Sequence, residues 1–293
     1  MTKSWHKYLI YVSLVFLVVA LYRADYLQAP RIISVFNLIL SFLFLCCGFI
    51  MNAVAWKKIL EKSNYHIRPG DCLAGFGLSI FGKYIPGKIW MVMGRAAYIA
   101  EKSDVSLAAL SAVSLNMQFI AIWTGLVFGL IGMLMLDGWH LWGWFIVFLW
   151  LFFSIILFSH FAHAKIEHIV KAILHKEITI PRLSPGSTLS ILPWFVIYWA
   201  LWSLGFCLLV TSLIDIDSFW TAGFGFPLAA TLGIITFISP GGLGTREAIM
   251  VGYLTLAGIP VADATTIAVT SRLWFLGGEI FIFLFGWIVH RQI

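Results

Sequence analysis

Six long apolar runs dominate the sequence: Tyr8–Leu21, Ile32–Ala55, Leu107–Leu136, Leu141–Phe158, Leu189–Leu213 and Thr265–Val289. Wound as a helix at 1.5 Å per residue, about 20 apolar residues match the ~30 Å hydrocarbon core of a bilayer. Lipid offers no hydrogen bonds, so a spanning segment must satisfy its own backbone, and continuous rather than alternating apolar runs select helices over a barrel. The first run is short and would draw on its flanks. The chain is 61% hydrophobic and 11% charged, against about half and about a quarter in soluble domains. The surplus apolar surface therefore faces lipid. The longest polar segment, roughly 160–187, leaves no room for an appended catalytic domain of ~100 residues. Any chemistry or transport is expected in or beside the membrane.

Charge orients the spans. Met1–Lys7 is basic and Tyr8–Leu21 apolar, as in a signal peptide, but Leu21-Tyr22-Arg23 lacks a small-residue cleavage pattern, so the segment reads as an uncleaved span. Lys3 and Lys7 precede it. Lys57, Lys58, Lys62 and Arg68 follow the second span, and Lys165, Lys171, Lys176 and Arg182 follow the fourth. The turns at Asp137–His140 and Ile214–Ser218 carry no Lys or Arg. The positive-inside rule then puts both termini in the cytoplasm, in a multi-pass protein of the cytoplasmic membrane. The net charge of +6 is this bias rather than a nucleic-acid patch, and basic juxtamembrane loops favour anionic head groups.

Two apolar regions are too broken for simple spans. Asp71–Ala100 is interrupted by glycines, Pro86, Lys83, Lys88 and Arg95. Phe219–Val261 is interrupted by glycines, Pro227, Ser239-Pro240-Gly241-Gly242, Gly244, Arg246 and Glu247. A single crossing by either would throw a later basic loop outside, so both read as re-entrant helical hairpins, over 71–100 and 219–261. The predicted fold is an all-α membrane domain of six spans and two hairpins. It divides into pseudo-repeat halves, 1–137 and 138–293, each running span, span, hairpin, span. An odd number of spans per half gives the halves inverted topology, a plan that recurs in secondary transporters, with the broken helices marking the site.

Five cations sit in or beside these segments, Lys83, Lys88, Arg95, Arg246 and Arg272, with two acids, Glu247 and Glu279. Each charge at the bilayer centre costs about 2.5–3.5 kcal/mol on insertion scales. Such a set implies a hydrated cavity with partners, and the cationic surplus points to an anion such as phosphate. Blander explanations stand beside this one. Lys83 and Lys88 can snorkel to the interface, Arg95 can be an interfacial anchor, and Arg272 and Glu279, two turns apart on one helix face, can make a structural ion pair to another helix. A helix restart near Pro86, and one with Ser239 as N-cap and Pro240 as first residue, would each present free N–H groups to an anion, with glycines allowing close approach.

Other features are less informative. Cys46, Cys47, Cys72 and Cys207 read as small apolar residues. Trp139, Trp142, Trp144 and Trp220 suit an outer aromatic belt. Phe161–His175 reads as an amphipathic surface helix, on which His160, His163 and Glu167 make a weak case for metal. No cofactor is expected.

The stretches GKYIPGKIW (Gly82–Trp90) with Gly94-Arg95, and SPGGLGTRE (Ser239–Glu247), resemble the family of the lysylphosphatidylglycerol synthase transmembrane region, over most of the chain. The resemblance places Lys83, Pro86, Gly87 and Arg95 in a first re-entrant motif, and Pro240, Gly241, Gly242, Gly244, Arg246 and Glu247 in a second. It implies a lipid flippase, since the best-known membrane portion in that family moves aminoacylated phosphatidylglycerol across the cytoplasmic membrane. Other relatives accompany glycan assembly on polyprenyl-phosphate carriers. The sequence departs from the full-length synthases in carrying no soluble aminoacyl-transferase domain, so it is not expected to make the lipid.

The leading expectation is thus a transporter, not an enzyme, for an anionic, phosphate-bearing lipid. Ser239 and the motif residues would line the site, with Lys83, Lys88, Arg95, Arg246 and Arg272 on the phosphate. Glu247 and Glu279 would hold the arginines or bind a coupling proton or cation. The alternatives are a membrane-embedded transferase with Glu247 or Glu279 as general base, and an accessory subunit of a glycan-assembly complex. Self-association stays open, and no nucleic acid is expected.

Overall fold

The computed structural model describes residues 31–85, 89–136, 141–159, 184–216, 219–236 and 244–293. The expected span at Tyr8–Leu21, the amphipathic segment 161–175 and the candidate His160, His163 and Glu167 lie outside them. Nine α-helices make up the described fold: α1 (Val35–Lys62), α2 (Pro69–Ser79), α3 (Trp90–Ala100), α4 (Leu107–Leu134), α5 (Leu141–Phe158), α6 (Pro185–Leu213), α7 (Phe219–Ile235), α8 (Thr245–Leu256) and α9 (Val261–Gln292). A 3-10 segment, Ile80–Tyr84, follows α2 directly. Among the described residues, α1, α4, α5, α6 and α9 are long and apolar enough to cross a membrane, at the positions of five of the six expected spans.

Local chemistry sets the helix starts. The hydroxyls of Ser34, Ser106 and Ser184 accept the N–H groups of Asn37, Ala109 and Ser187, capping α1, α4 and α6. Pro185 and Pro69 occupy first-turn positions, where a missing N–H costs nothing. At its other end α1 runs seven residues past the expected Ala55. Glu61 pairs there with Lys57 and Lys58 on its own face, and the helix continues through its charged end.

α1 and α6 pack antiparallel along most of their length. Asn37 bonds Thr211 at 3.1 Å, Trp202 Nε1 donates to the Leu45 carbonyl at 3.2 Å, and Lys58 lies over the Trp194 ring. α2 and α3 form one antiparallel hairpin. The Gly82 side of the 3-10 segment lies on the Met91 backbone, and Gly75 lies against Tyr98. α7 and α8 form a second: Gly233 faces Arg246, Gly225 faces Tyr253, and Tyr253 donates to the Thr221 carbonyl at 2.8 Å.

The first hairpin leans on α9, where Gly77 and Gly286 bring the backbones together. A Cβ on Gly77 would sit 2.3 Å from the Ile282 carbonyl oxygen. The second leans on α4, with Gly125 against Thr231 and Gly132 against Phe224. α1 also touches α2, α4 and α9, while α6 touches α7, α9 and α4. Only Gly143, Ile146 and Phe153 of α5 are buried. Trp142, Trp144, Phe148 and Ile155 face outward, as on a lipid-facing helix. All four cysteines are free.

Candidate functional site

The 3-10 segment ends the first leg of the first hairpin and aims two side chains at the middle of α9. Lys83 Nζ forms an ion pair with Glu279 Oε1. The Tyr84 hydroxyl donates to Glu279 Oε2 at 2.7 Å. Glu279 is 0% exposed, so a carboxylate that would be prohibitive alone is tolerated because both oxygens are held. Arg272, two turns earlier on α9 and also buried, lies 5.3 Å from the Tyr84 ring centroid.

The second hairpin adds Arg246, the second residue of α8. Its guanidinium lies 4.7 Å from the Phe226 ring centroid and 4.9 Å from that of Phe275. Lys83 Nζ lies 4.8 Å from the same Phe275 ring. One aromatic ring on α9 therefore takes a cation from each hairpin, a favourable use of the ring quadrupole where water is scarce. Arg246 is buried, and among the described residues its Nη2 has no hydrogen-bond partner. Lys83, Arg246 and Arg272 lie within electrostatic range of one another and of Glu279.

Arg95 stands apart from this group. It is 1% exposed, donates to the Ser114 carbonyl at 2.7 Å and to Met117 Sδ at 3.1 Å, and covers the Trp56 ring. Glu247 turns back on its own helix: Oε2 accepts the Gly244 N–H at 2.8 Å and caps α8. Gly244 has φ +80°, open to glycine at little cost.

The helix starts expected near Pro86 and at Pro240 fall outside the described residues. α3 begins at Trp90, and its first turn packs the backbone of Trp90 and Met91 against Gly82 of the 3-10 segment. α8 begins at Thr245, where Gly244 makes the turn and Glu247 supplies the cap. Pro86, Gly87, Lys88, Ser239, Pro240, Gly241 and Gly242 lie outside the described residues.

Tyr84, Phe226 and Phe275 were not expected in the group. Tyr84 adjoins Lys83, and Phe275 falls three residues after Arg272 and four before Glu279, so helical spacing already put it on their face.

Outside the spans, Lys102 pairs with Asp71 at 2.7 Å where the legs of the first hairpin end. Burial pulls the Lys102 ammonium down, but hydrogen bonds with Asp71 and Tyr98 outweigh it and hold the group above the ordinary lysine range.

Five long apolar helices and two helical hairpins, with charge from both hairpins gathered against α9, define a multi-pass α-helical membrane protein. The chain belongs to the family described as the lysylphosphatidylglycerol synthase TM region, whose model matches residues 5–285. No curated protein matches the sequence.

Proposed function

We propose that the protein is a flippase, a transporter and not an enzyme, that moves an anionic, phosphate-bearing lipid across the cytoplasmic membrane. The substrate would be a phospholipid or a polyprenyl-phosphate-linked glycan. The observation that carries this reading is the buried group of Lys83, Arg246 and Arg272 around Glu279, to which both hairpins contribute. Three cations against the carboxylates of Glu279 and Glu247 leave a positive surplus, and among the described residues Arg246 Nη2 has no hydrogen-bond partner. A phosphate supplies both the missing charge and the missing acceptors, while the lipid tail stays in the bilayer.

The architecture supports the same reading. The helices pair in a pattern that exchange of the two halves preserves: α2 with α9 answers α7 with α4, α3 with α4 answers α8 with α9, and α1 with α6 answers itself. That pattern supports the reading of an inverted repeat with halves 1–137 and 138–293. The second legs α3 and α8 have 11 and 12 residues, about 16–18 Å, or half the hydrocarbon thickness. Re-entrant hairpins inserted from opposite faces fit these lengths, with both termini cytoplasmic. Cysteine labels placed at positions 137 and 217 should report the same, outer side.

The functional test is reconstitution in phosphatidylcholine vesicles with an acyl-labelled fluorescent phosphatidylglycerol. Leaflet exchange is read by dithionite quenching. The parent protein is expected to accelerate exchange at least tenfold over empty vesicles, and Arg246→Ala to abolish the gain while eluting as a folded protein. Full activity in that variant would refute the site.

A further inference from the structure

We propose that Glu279 takes up a proton when the lipid phosphate binds, so that the flippase works as a proton–anion symporter. The inference rests on the flippase reading. Lys83 is the most accessible cation of the group, its side chain 21% exposed against 5% for Arg246 and 3% for Arg272. An entering phosphate therefore meets Lys83 first, and Lys83 is already bound to Glu279. Two anions compete for one ammonium.

The surroundings of Glu279 decide the outcome. The first hairpin presents Lys83 and Tyr84, α8 presents Arg246 and Glu247, and α9 itself carries Arg272. From α1, Leu45 and Phe49 cover the neighbouring Gly278, with Cys46 beside them, and α6 adds Trp202 against Phe49. Arg246 lies over the rings of Phe226 and Phe275, and Arg272 over that of Tyr84. When Lys83 turns to the phosphate, one oxygen of a fully buried carboxylate loses its partner. A proton drawn from the aqueous phase onto Oε1 neutralises it and creates an O–H that can itself donate. Oε2 keeps the Tyr84 bond. The empty state is the Lys83–Glu279 pair; the loaded state is Lys83 on phosphate with Glu279 neutral. Proton and anion enter together and leave together, and no bond other than O–H forms or breaks.

The first experiment uses the vesicles above with a pH gradient and a trapped pH dye. The fluorescent phosphatidylglycerol is expected to accumulate at least threefold in the leaflet facing the alkaline side, with matching proton movement. Exchange without such bias overturns the proposal. If the probe is not exchanged at all, the flippase reading falls, and a second measurement still decides the proton. In weakly buffered detergent, dihexanoyl phosphatidic acid is added and proton uptake is followed.

One proton per bound probe is expected from the parent; none overturns the proposal. Glu279→Gln imitates the neutral acid, so it should bind the probe without proton uptake, even at alkaline pH where the parent releases it. Uptake that persists in Glu279→Gln, or loss of binding by the folded variant, refutes the assignment. Should that variant not fold, Tyr84→Phe, which keeps the ion pair, should shift the pH of half-maximal uptake by at least half a unit. An unmoved midpoint overturns the role of Glu279.

Discussion

Replacing Lys83 by Met leaves the Glu279 carboxylate fully buried and, among the hydrogen bonds of the described residues, held by the Tyr84 hydroxyl. Removing one partner of a buried pair costs about 3–5 kcal/mol, mostly because the remaining charge is uncompensated. Glu279→Gln strands an ammonium that is one-fifth exposed, and its cost should fall lower, at about 2–3 kcal/mol. The double variant strands nothing and should lie within ~2 kcal/mol of the parent, since replacing a whole buried pair by neutral groups is often nearly free. The cycle therefore predicts a coupling of at least ~3 kcal/mol between two residues 196 apart in sequence. The assay is reversible unfolding of the purified protein by SDS in mixed micelles, followed by tryptophan fluorescence. Additivity of the two single changes to within ~0.5 kcal/mol would refute the account of Glu279 as a charge tolerated through its partners.

Two further predictions concern packing and pH. Gly77→Ala places a Cβ 2.3 Å from the Ile282 carbonyl oxygen and must push α2 off α9, costing about 1–3 kcal/mol. Gly252→Ala, in α8 with nothing within 4 Å, should instead stabilise by up to ~1 kcal/mol through helix propensity; thermal melting in detergent separates the two. Because Lys102 is held above its ordinary range in the folded state, its contribution is fully present below about pH 10.4 and is lost as pH rises through the folded value. Melting temperature should fall across that alkaline window in the parent, and the slope should be shallower in Lys102→Met.

The spans were legible because lipid imposes one rule, a sustained apolar run, and α4, α5 and α6 obey it almost to the residue. Their ends were less so. α1 continues through Lys57, Lys58 and Lys62, and such long side chains reach the interface from a helical backbone. Lys83, Arg246, Arg272 and Glu279 stood out as charges in apolar sequence, which lipid makes conspicuous. Their partners did not, because Lys83 meets Glu279 across nearly two hundred residues. Arg95 looked like one more member of the set. Only packing shows its guanidinium turned to Ser114, Met117 and Trp56. Pro86 and Pro240 suggested helix starts from local rules; the described second-leg helices run from Trp90 and from Thr245, the latter set by the Gly244 turn and the Glu247 cap.

The long separation between Lys83 and Glu279 also has a consequence for synthesis. Ribosomes add about 5–20 residues per second, so roughly 10–40 s pass between the emergence of the lysine and that of its acid. During that interval the first hairpin lacks the residue that neutralises its charge, and α9, the helix it leans on, does not yet exist. A lone ammonium is held at the lipid–water boundary rather than drawn to depth. On the re-entrant reading proposed above, the first hairpin is expected to wait at the membrane surface and to move inward only when the last helix arrives, making its insertion the closing step of assembly rather than an early one.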